Sequence, residues 1–208
     1  MTLVHRLHRL RRAWSRQREL RRALAAHLDL LESAPERALG TLTAEEEGRI
    51  AELVGRAASH DGPILEFGTL FGLSTRLIAM HAPSGRRVIT IDNFSWNPLA
   101  LPPALHELLA RRVLRSEIAA GQVELAATGS AAFRAAYRGP APALVFLDAD
   151  HAYEPVRDEI AWARSAGAAI ICGHDYGSAE FGVTRAVDEA FPGGVEVRGT
   201  IWSWEQRP

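Results

Sequence analysis

The chain contains no lysine at all: every one of its 24 basic residues is arginine. With its alanine-rich helical stretches, this reads as the coding bias of a GC-rich genome, so no single arginine is by itself a functional signal. Cysteine is almost as scarce. The lone Cys172 can form no internal disulfide and sits in an apolar run, where core packing is its expected role and a reducing, cytoplasmic setting is compatible. No apolar run is long enough to span a bilayer. The first residues interleave arginine with leucine, where an export signal would place an apolar block after a charged start, so neither membrane nor export is expected. The formal charge of -1 supplies no global basic field, and few aromatics lie near the arginines, which argues against nucleic acid as a partner. Neither repeats nor low-complexity segments occur.

What is present is enough apolar material, 47% of 208 residues, to close one good-sized core. We expect a single domain over residues 43–208 with an appendage over 1–42. Within that appendage Leu3, Leu7, Leu10 and Trp14, then Leu20, Leu24, Leu28 and Leu31, follow helical spacing, with a shift of phase near Gln17. The opposite face carries Arg6, Arg9, Arg11, Arg12, Arg16, Arg18, Arg21 and Arg22 against Glu19 and Asp29. A membrane surface, nucleic acid or an acidic partner could meet such a face. The preferred reading is an arm that packs its leucines on the domain or on a second copy, making a homo-oligomer and leaving the arginines solvated.

Pro35 and Gly40 break this helix, and Thr43-Ala44-Glu45-Glu46 then has the form of a capping box, which predicts a second helix to about Ser59. Short apolar runs follow at 64–66, 88–92, 123–126, 144–148 and 168–172, alternating with helical stretches. That alternation predicts an α/β fold, a Rossmann-like doubly wound sheet with helices on both faces. After a helix at about 183–190, runs at 195–197 and 200–204 flank Arg198-Gly199 and predict an antiparallel hairpin at the edge, for seven mostly parallel strands in all.

Three features carry chemistry. In the first, the strand ending at Glu66 passes through Gly68-Thr69-Leu70-Phe71-Gly72 into a helix near Ser74, at the end of the sheet where ligands of open parallel sheets bind. Gly68 would permit the sharp turn and Gly72 a close approach to a ligand; an ordinary strand-to-helix turn is the plain alternative. In the second, Asp92, followed by Asn93, ends the next strand where a ribose-binding carboxylate belongs, though a solvated strand end would look the same. A dinucleotide fingerprint needs glycine at position 70, and this chain has Leu70, which favours a cofactor without a pyrophosphate. The third feature pairs Asp148-Ala149-Asp150-His151-Ala152-Tyr153 with Gly173-His174-Asp175-Tyr176, both at strand ends. Carboxylates and imidazoles gathered at one rim can hold a divalent cation or form an acid/base pair.

The ordered set Glu66-x-Gly68-x-x-x-Gly72-x-Ser74, Asp92, Gly129-Ser130, Asp148-x-Asp150-His151-x-Tyr153 and His174-Asp175-Tyr176 resembles the class I S-adenosylmethionine-dependent methyltransferases over residues 45–204. Within them it is similar to the small macrocin- and mycinamicin-type sugar O-methyltransferases. The resemblance implies S-adenosylmethionine as cofactor, with Glu66, Gly68, Thr69, Gly72 and Ser74 around its methionine portion. Asp92 and Asn93 would meet its ribose, Gly129 and Ser130 its adenine, and Asp148 would adjoin it. It further implies His151 as general base for a small-molecule hydroxyl acceptor such as a sugar, polyketide or peptide. Asp148 and Asp175 would be ligands of a divalent cation. His174 stands where those relatives have a carboxylate, so Mg²⁺, a softer ion and no ion all remain open. Relatives of this kind often use an N-terminal segment as a lid or dimer arm, in keeping with residues 1–42. Trp96 could stack on adenine, roof the acceptor pocket or pack in the core. Two other readings are a same-fold enzyme of different chemistry, like the cephalosporin-hydroxylase-like proteins, and a non-catalytic cofactor-binding regulator that uses the arginine-rich helix.

Overall fold

Thr43 and Glu46 form the capping box their spacing predicts: the Thr43 hydroxyl accepts the Glu46 amide, and the Glu46 carboxylate accepts the Thr43 amide at 2.8 Å. In the computed structural model, which describes residues 42–206, this box opens helix α1 (Ala44–Arg56), and a single 3₁₀ turn (Ala57–Ser59) ends it. The amphipathic arm and its lid or dimer role lie outside the described residues. Among the described residues no helix is long and apolar enough to cross a membrane.

The remaining elements alternate: β1 (Ile64–Phe67), α2 (Leu73–His81), β2 (Val88–Asp92), α3 (Pro103–Val113), α4 (Arg115–Ala119), β3 (Val123–Ala127), α5 (Ser130–Ala136), β4 (Leu144–Leu147), α6 (Tyr153–Ser165), β5 (Ile170–Gly173), α7 (Val183–Ala190), β6 (Glu196–Arg198) and β7 (Ile201–Glu205). They build one seven-stranded sheet in the order β3-β2-β1-β4-β5-β7-β6. The first five strands pair in parallel, and β7 runs antiparallel to both β5 and β6, so the mostly parallel sheet with an edge hairpin is present as expected.

Alternating side chains explain why helices cover both faces. Ile64, Leu144 and Phe146 point to one face, where they pack with Leu53 of α1, Ile78 of α2 and Leu114 at the end of α3. Leu65, Phe67, Val145 and Leu147 point to the other and meet Val156 and Ile160 of α6 and Val187 of α7. The central strands β1, β4 and β5 are buried along their whole length. Cys172 is part of this core, its thiol directed at the Val145 carbonyl. Burial holds that thiol well above its ordinary pKa, which leaves it an inert packing residue.

The order of the strands brings the carboxyl ends of β2, β1, β4 and β5 side by side, and the chemistry-bearing segments leave the sheet there. A surface cavity lined by Gly62, Arg86, Arg87 and Tyr137 lies at the opposite, amino-terminal end and contains none of the predicted site residues.

Candidate active site

The turn after β1 is shaped by its neighbours as much as by any ligand. Gly68 has a φ of +101°, and a Cβ there would lie 2.1 Å from the Asp148 carbonyl oxygen, so only glycine lets β1 and β4 leave the sheet side by side. Gly72 has a φ of +83°, and its missing Cβ makes room for the side chain of Leu114, 2.8 Å away. The expectation that Gly72 clears space for a ligand is therefore corrected: its first demand is the packing of α2 against Leu114. Leu70 is also left-handed, with a φ of +46°. Glycine is thus not needed at 70 for the backbone's sake, and what separates this turn from a dinucleotide fingerprint is the bulk of the leucine side chain.

Asp92 holds the turn. Its Oδ2 accepts the amides of Thr69 at 3.0 Å and Leu70 at 2.9 Å, and its Oδ1 accepts the amide of Phe94 at 2.7 Å. A carboxylate oxygen has two acceptor sites, so Oδ1 keeps capacity for a hydroxyl. Asn93 beside it is exposed and spends its Oδ1 on the Ser95 amide.

Glu66 lies beneath this turn, entirely buried. Thr75 and Thr90 donate their hydroxyls to its Oε2, Thr69 closes the cluster through Thr90 at 2.6 Å, and Oε1 has no partner among the described residues. Burial raises its pKa to about 7, against the hydroxyls of Thr75, Thr90 and Ser74, with the charge of Asp148 adding to the rise. Gly129, the cap of α5, has open space where a Cβ would be. The Ser130 hydroxyl is committed to Glu159 of α6 at 2.5 Å. Sequence reasoning missed Glu159, a buried acid whose pKa burial pushes up to about 7, because nothing in the spacing of α6 distinguishes it from a surface glutamate.

Asp148, His151, His174 and Asp175 do converge. The His151 Nε2 is 3.5 Å from Asp148 Oδ1 and 3.4 Å from Asp175 Oδ2, and the His174 Nδ1 is 3.7 Å and 3.4 Å from the same two oxygens. His151 also packs its ring on Phe181 at 4.5 Å. Asp175 takes a left-handed φ of +63°, which aspartate tolerates better than most residues, and Asp150 turns the chain into α6 by accepting the Ala152 amide. Gly173 precedes His174 and is required, since a Cβ would lie 2.6 Å from the Leu147 carbonyl and 2.8 Å from the Trp202 indole nitrogen.

The electrostatics of this rim come from two acids facing two imidazoles. Burial disfavours charge on His174, but the hydrogen bond to Asp175 and the charges of Asp148, Asp175 and Glu46 outweigh it and raise the pKa to about 9. His151 is likewise raised: burial opposes, while the hydrogen bond and charge of Asp148 and the charge of Asp175 prevail. Ligand atoms of Asp148, His174 and Asp175 all lie within 4.8 Å of one another, a spacing that fits a divalent cation. Glu46, which the sequence marked only as a helix cap, reaches this group from the start of α1: its Oε1 is 3.5 Å from the His174 Nε2. The two tyrosines of the motif are structural, Tyr153 bonding Glu189 and Tyr176 bonding Asp188, both on α7. Trp96 is 70% exposed, which rules out core packing.

A methyltransferase-domain model matches residues 65–176, from β1 to just beyond β5. The chain belongs to this methyltransferase family. No curated protein matches its sequence. Among solved structures, the methyltransferase resembles the O-methyltransferase TomG from Streptomyces achromogenes, involved in tomaymycin synthesis and solved with SAM, at 20% identity and a TM-score of 0.60, over 89% of this chain and 90% of that one. It is similar to an O-methyltransferase from Bacillus cereus in complex with SAH, at 19% identity and a TM-score of 0.59, over 88% and 90% of the two chains. CalS11, a TDP-rhamnose 3'-O-methyltransferase of calicheamicin biosynthesis, is similar at 16% identity and a TM-score of 0.59, over 91% and 93%. At these identities the likeness establishes the Rossmann-like methyltransferase fold of this chain.

Proposed function

We propose that this methyltransferase moves a methyl group from S-adenosylmethionine to a hydroxyl oxygen of a small molecule, a natural-product sugar, polyketide or peptide, with His151 as general base. The observation that carries the reading is the convergence of Asp148, His151, His174 and Asp175 beside the glycine turn of β1. The open face of Gly129 and the free capacity of Asp92 Oδ1 fit the adenine and ribose portions of the cofactor, and Glu66, buried beneath the turn, supports the loop that would meet the methionine portion. Thr69, Gly68, Ser74, Asn93 and Asp148 complete that set, while Gly72 is engaged by Leu114 and the Ser130 hydroxyl by Glu159.

When bound, the cofactor supplies a methyl already activated as a sulfonium, and a divalent cation at Asp148, His174 and Asp175 supplies positive charge that acidifies a hydroxyl. The chain's own work is to align that oxygen with the methyl and remove its proton. His151 would take the hydroxyl proton as the aligned oxygen accepts the methyl, with S-adenosylhomocysteine as the leaving product. His151 Nε2 is directed at Asp148 and Asp175, 3.5 and 3.4 Å away, so these acids orient the imidazole that meets the substrate hydroxyl. His151 must be neutral to accept a proton, so its raised pKa requires the negative charge of Asp148 and Asp175 to be offset in the working complex.

The test is product mass. Purified protein incubated with S-adenosylmethionine and a panel of sugar, polyketide and peptide hydroxyl acceptors is expected to yield a product heavier by one methylene, together with S-adenosylhomocysteine. A product heavier by one oxygen, or binding of the cofactor with no turnover on any acceptor, would point to the hydroxylase-like or the non-catalytic reading.

A further inference from the structure

His174 presents its two ring nitrogens to different partners. Nδ1 faces Asp148 Oδ1 and Asp175 Oδ2 at 3.7 and 3.4 Å, while Nε2 faces Glu46 Oε1 at 3.5 Å. Ligands around a first-row ion, at bond lengths of about 2.1 Å, lie about 3.0 Å apart in an octahedron and about 3.4 Å apart in a tetrahedron. The Nδ1 spacings fall at the tetrahedral end of that range or just beyond it. An imidazole that ligates an ion commonly gives its other N–H to an outer carboxylate, which sets the tautomer and the ring's orientation.

Glu46 is built for that outer position. Its Oε2 accepts the amide and hydroxyl of Thr43 at 2.8 and 2.9 Å, and its Oε1 accepts the amide and hydroxyl of Thr200 at 3.1 and 2.7 Å. These four bonds leave the carboxylate no freedom to swing and hold Oε1 against His174 Nε2 as a charge contact at 3.5 Å, with no hydrogen bond between them. Gly199 has a φ of +60°, and a Cβ there would lie 2.9 Å from Glu46 Cγ, so the β6–β7 turn is shaped around this side chain. A plain helix cap does not need a partner 154 residues away in sequence.

We propose that the site takes a divalent transition ion in preference to Mg²⁺, through Nδ1 of His174, and that Glu46 is the positioning residue that turns this nitrogen toward the ion. Mg²⁺ favours oxygen donors and near-ideal octahedral geometry, whereas Mn²⁺, Co²⁺ and Zn²⁺ accept imidazole readily. The inference rests on the reading that these residues hold a cation in the proposed reaction.

The full chain, stripped with chelator and dialysed, is titrated with Co²⁺ while its visible d–d absorption is followed, and with Mg²⁺ by calorimetry. We expect Co²⁺ to bind at least tenfold more tightly than Mg²⁺, with a spectrum showing nitrogen coordination. His174→Asp, which makes an all-oxygen set, should narrow the preference and remove the nitrogen signature from the Co²⁺ spectrum. Glu46→Gln should weaken Co²⁺ tenfold to a hundredfold while S-adenosylhomocysteine still binds; an unchanged Co²⁺ affinity overturns the role of Glu46, and should that variant fail to fold, Thr200→Val, which removes a hydroxyl that holds Oε1, tests the same role. Equal affinity for the two ions, or Co²⁺ affinity untouched by His174→Asp, overturns this inference and leaves the cation reading standing. Binding of neither ion overturns both, and methyl transfer then stands or falls on the product-mass assay.

Discussion

The glycine turn after β1 and the charged rim after β4 and β5 are neighbours built on opposite principles. The turn is a backbone structure: Gly68 and Gly72 fit where no other residue does, Asp92 gathers three amides, and Glu66 is sealed beneath, its pKa lifted by burial to about 7. The rim is a side-chain structure: Asp148, His151, His174 and Asp175 are each partly exposed and balance one another's charge. The difference is that between a mould and a charge balance. A mould fails when its shape changes, a charge balance when one of its members does.

The largest expected effect comes from the rim. His151→Ala should lower methyl transfer roughly a thousandfold, the range expected for loss of a general base, while S-adenosylhomocysteine affinity and thermal stability stay near those of the parent. Turnover within tenfold of the parent would remove His151 from the base role and weaken the contrast. The next largest comes from the turn. Gly68→Ala sets a left-handed φ against a clash with the Asp148 carbonyl, which we expect to cost about 4 kcal/mol from strain and overpacking together. Chemical denaturation measures it, and a loss under about 1 kcal/mol would show that the mould yields.

The same contrast explains what was legible in the sequence. Glycines at 68 and 72, the acid at 92 and the apolar runs between them are local signals, and the doubly wound sheet follows from their alternation. The reasons for the glycines were not legible: Leu114 lies 42 residues from Gly72 in sequence, and only the packed structure reveals it as the side chain that a Cβ would strike. At the rim the four charged residues could be read from two strand ends. Glu46 and Glu159 could not, since one reads as a helix cap and the other as a surface glutamate until the fold carries the Thr200 turn and α5 against them. Leu70 sets the turn apart from a dinucleotide fingerprint by its bulk, as its residue type implies, but its backbone is left-handed without glycine, which residue type does not reveal.

The smallest expected effect tests how the turn holds its acid. Glu66 has a folded-state pKa of about 7 against an ordinary value of 4.5. Below about pH 4.5 both folded and unfolded chains keep the proton, and Glu66 adds no pH dependence. Between 4.5 and 7 the unfolded chain gives up its proton while the folded chain retains it, so stability falls as pH rises and reaches its floor above 7. The full span is at most about 3.4 kcal/mol, because each pH unit separating the folded and unfolded values is worth about 1.36 kcal/mol. Glu66→Gln removes this titration, so denaturation midpoints of parent and variant should converge or cross in the variant's favour from about pH 5 to about pH 8. Parallel pH profiles would mean that the carboxylate is charged in the folded state throughout. Glu66 would then belong with the rim, as a third negative charge added to Asp148 and Asp175, and its unpartnered Oε1 would face a cationic ligand as an anion.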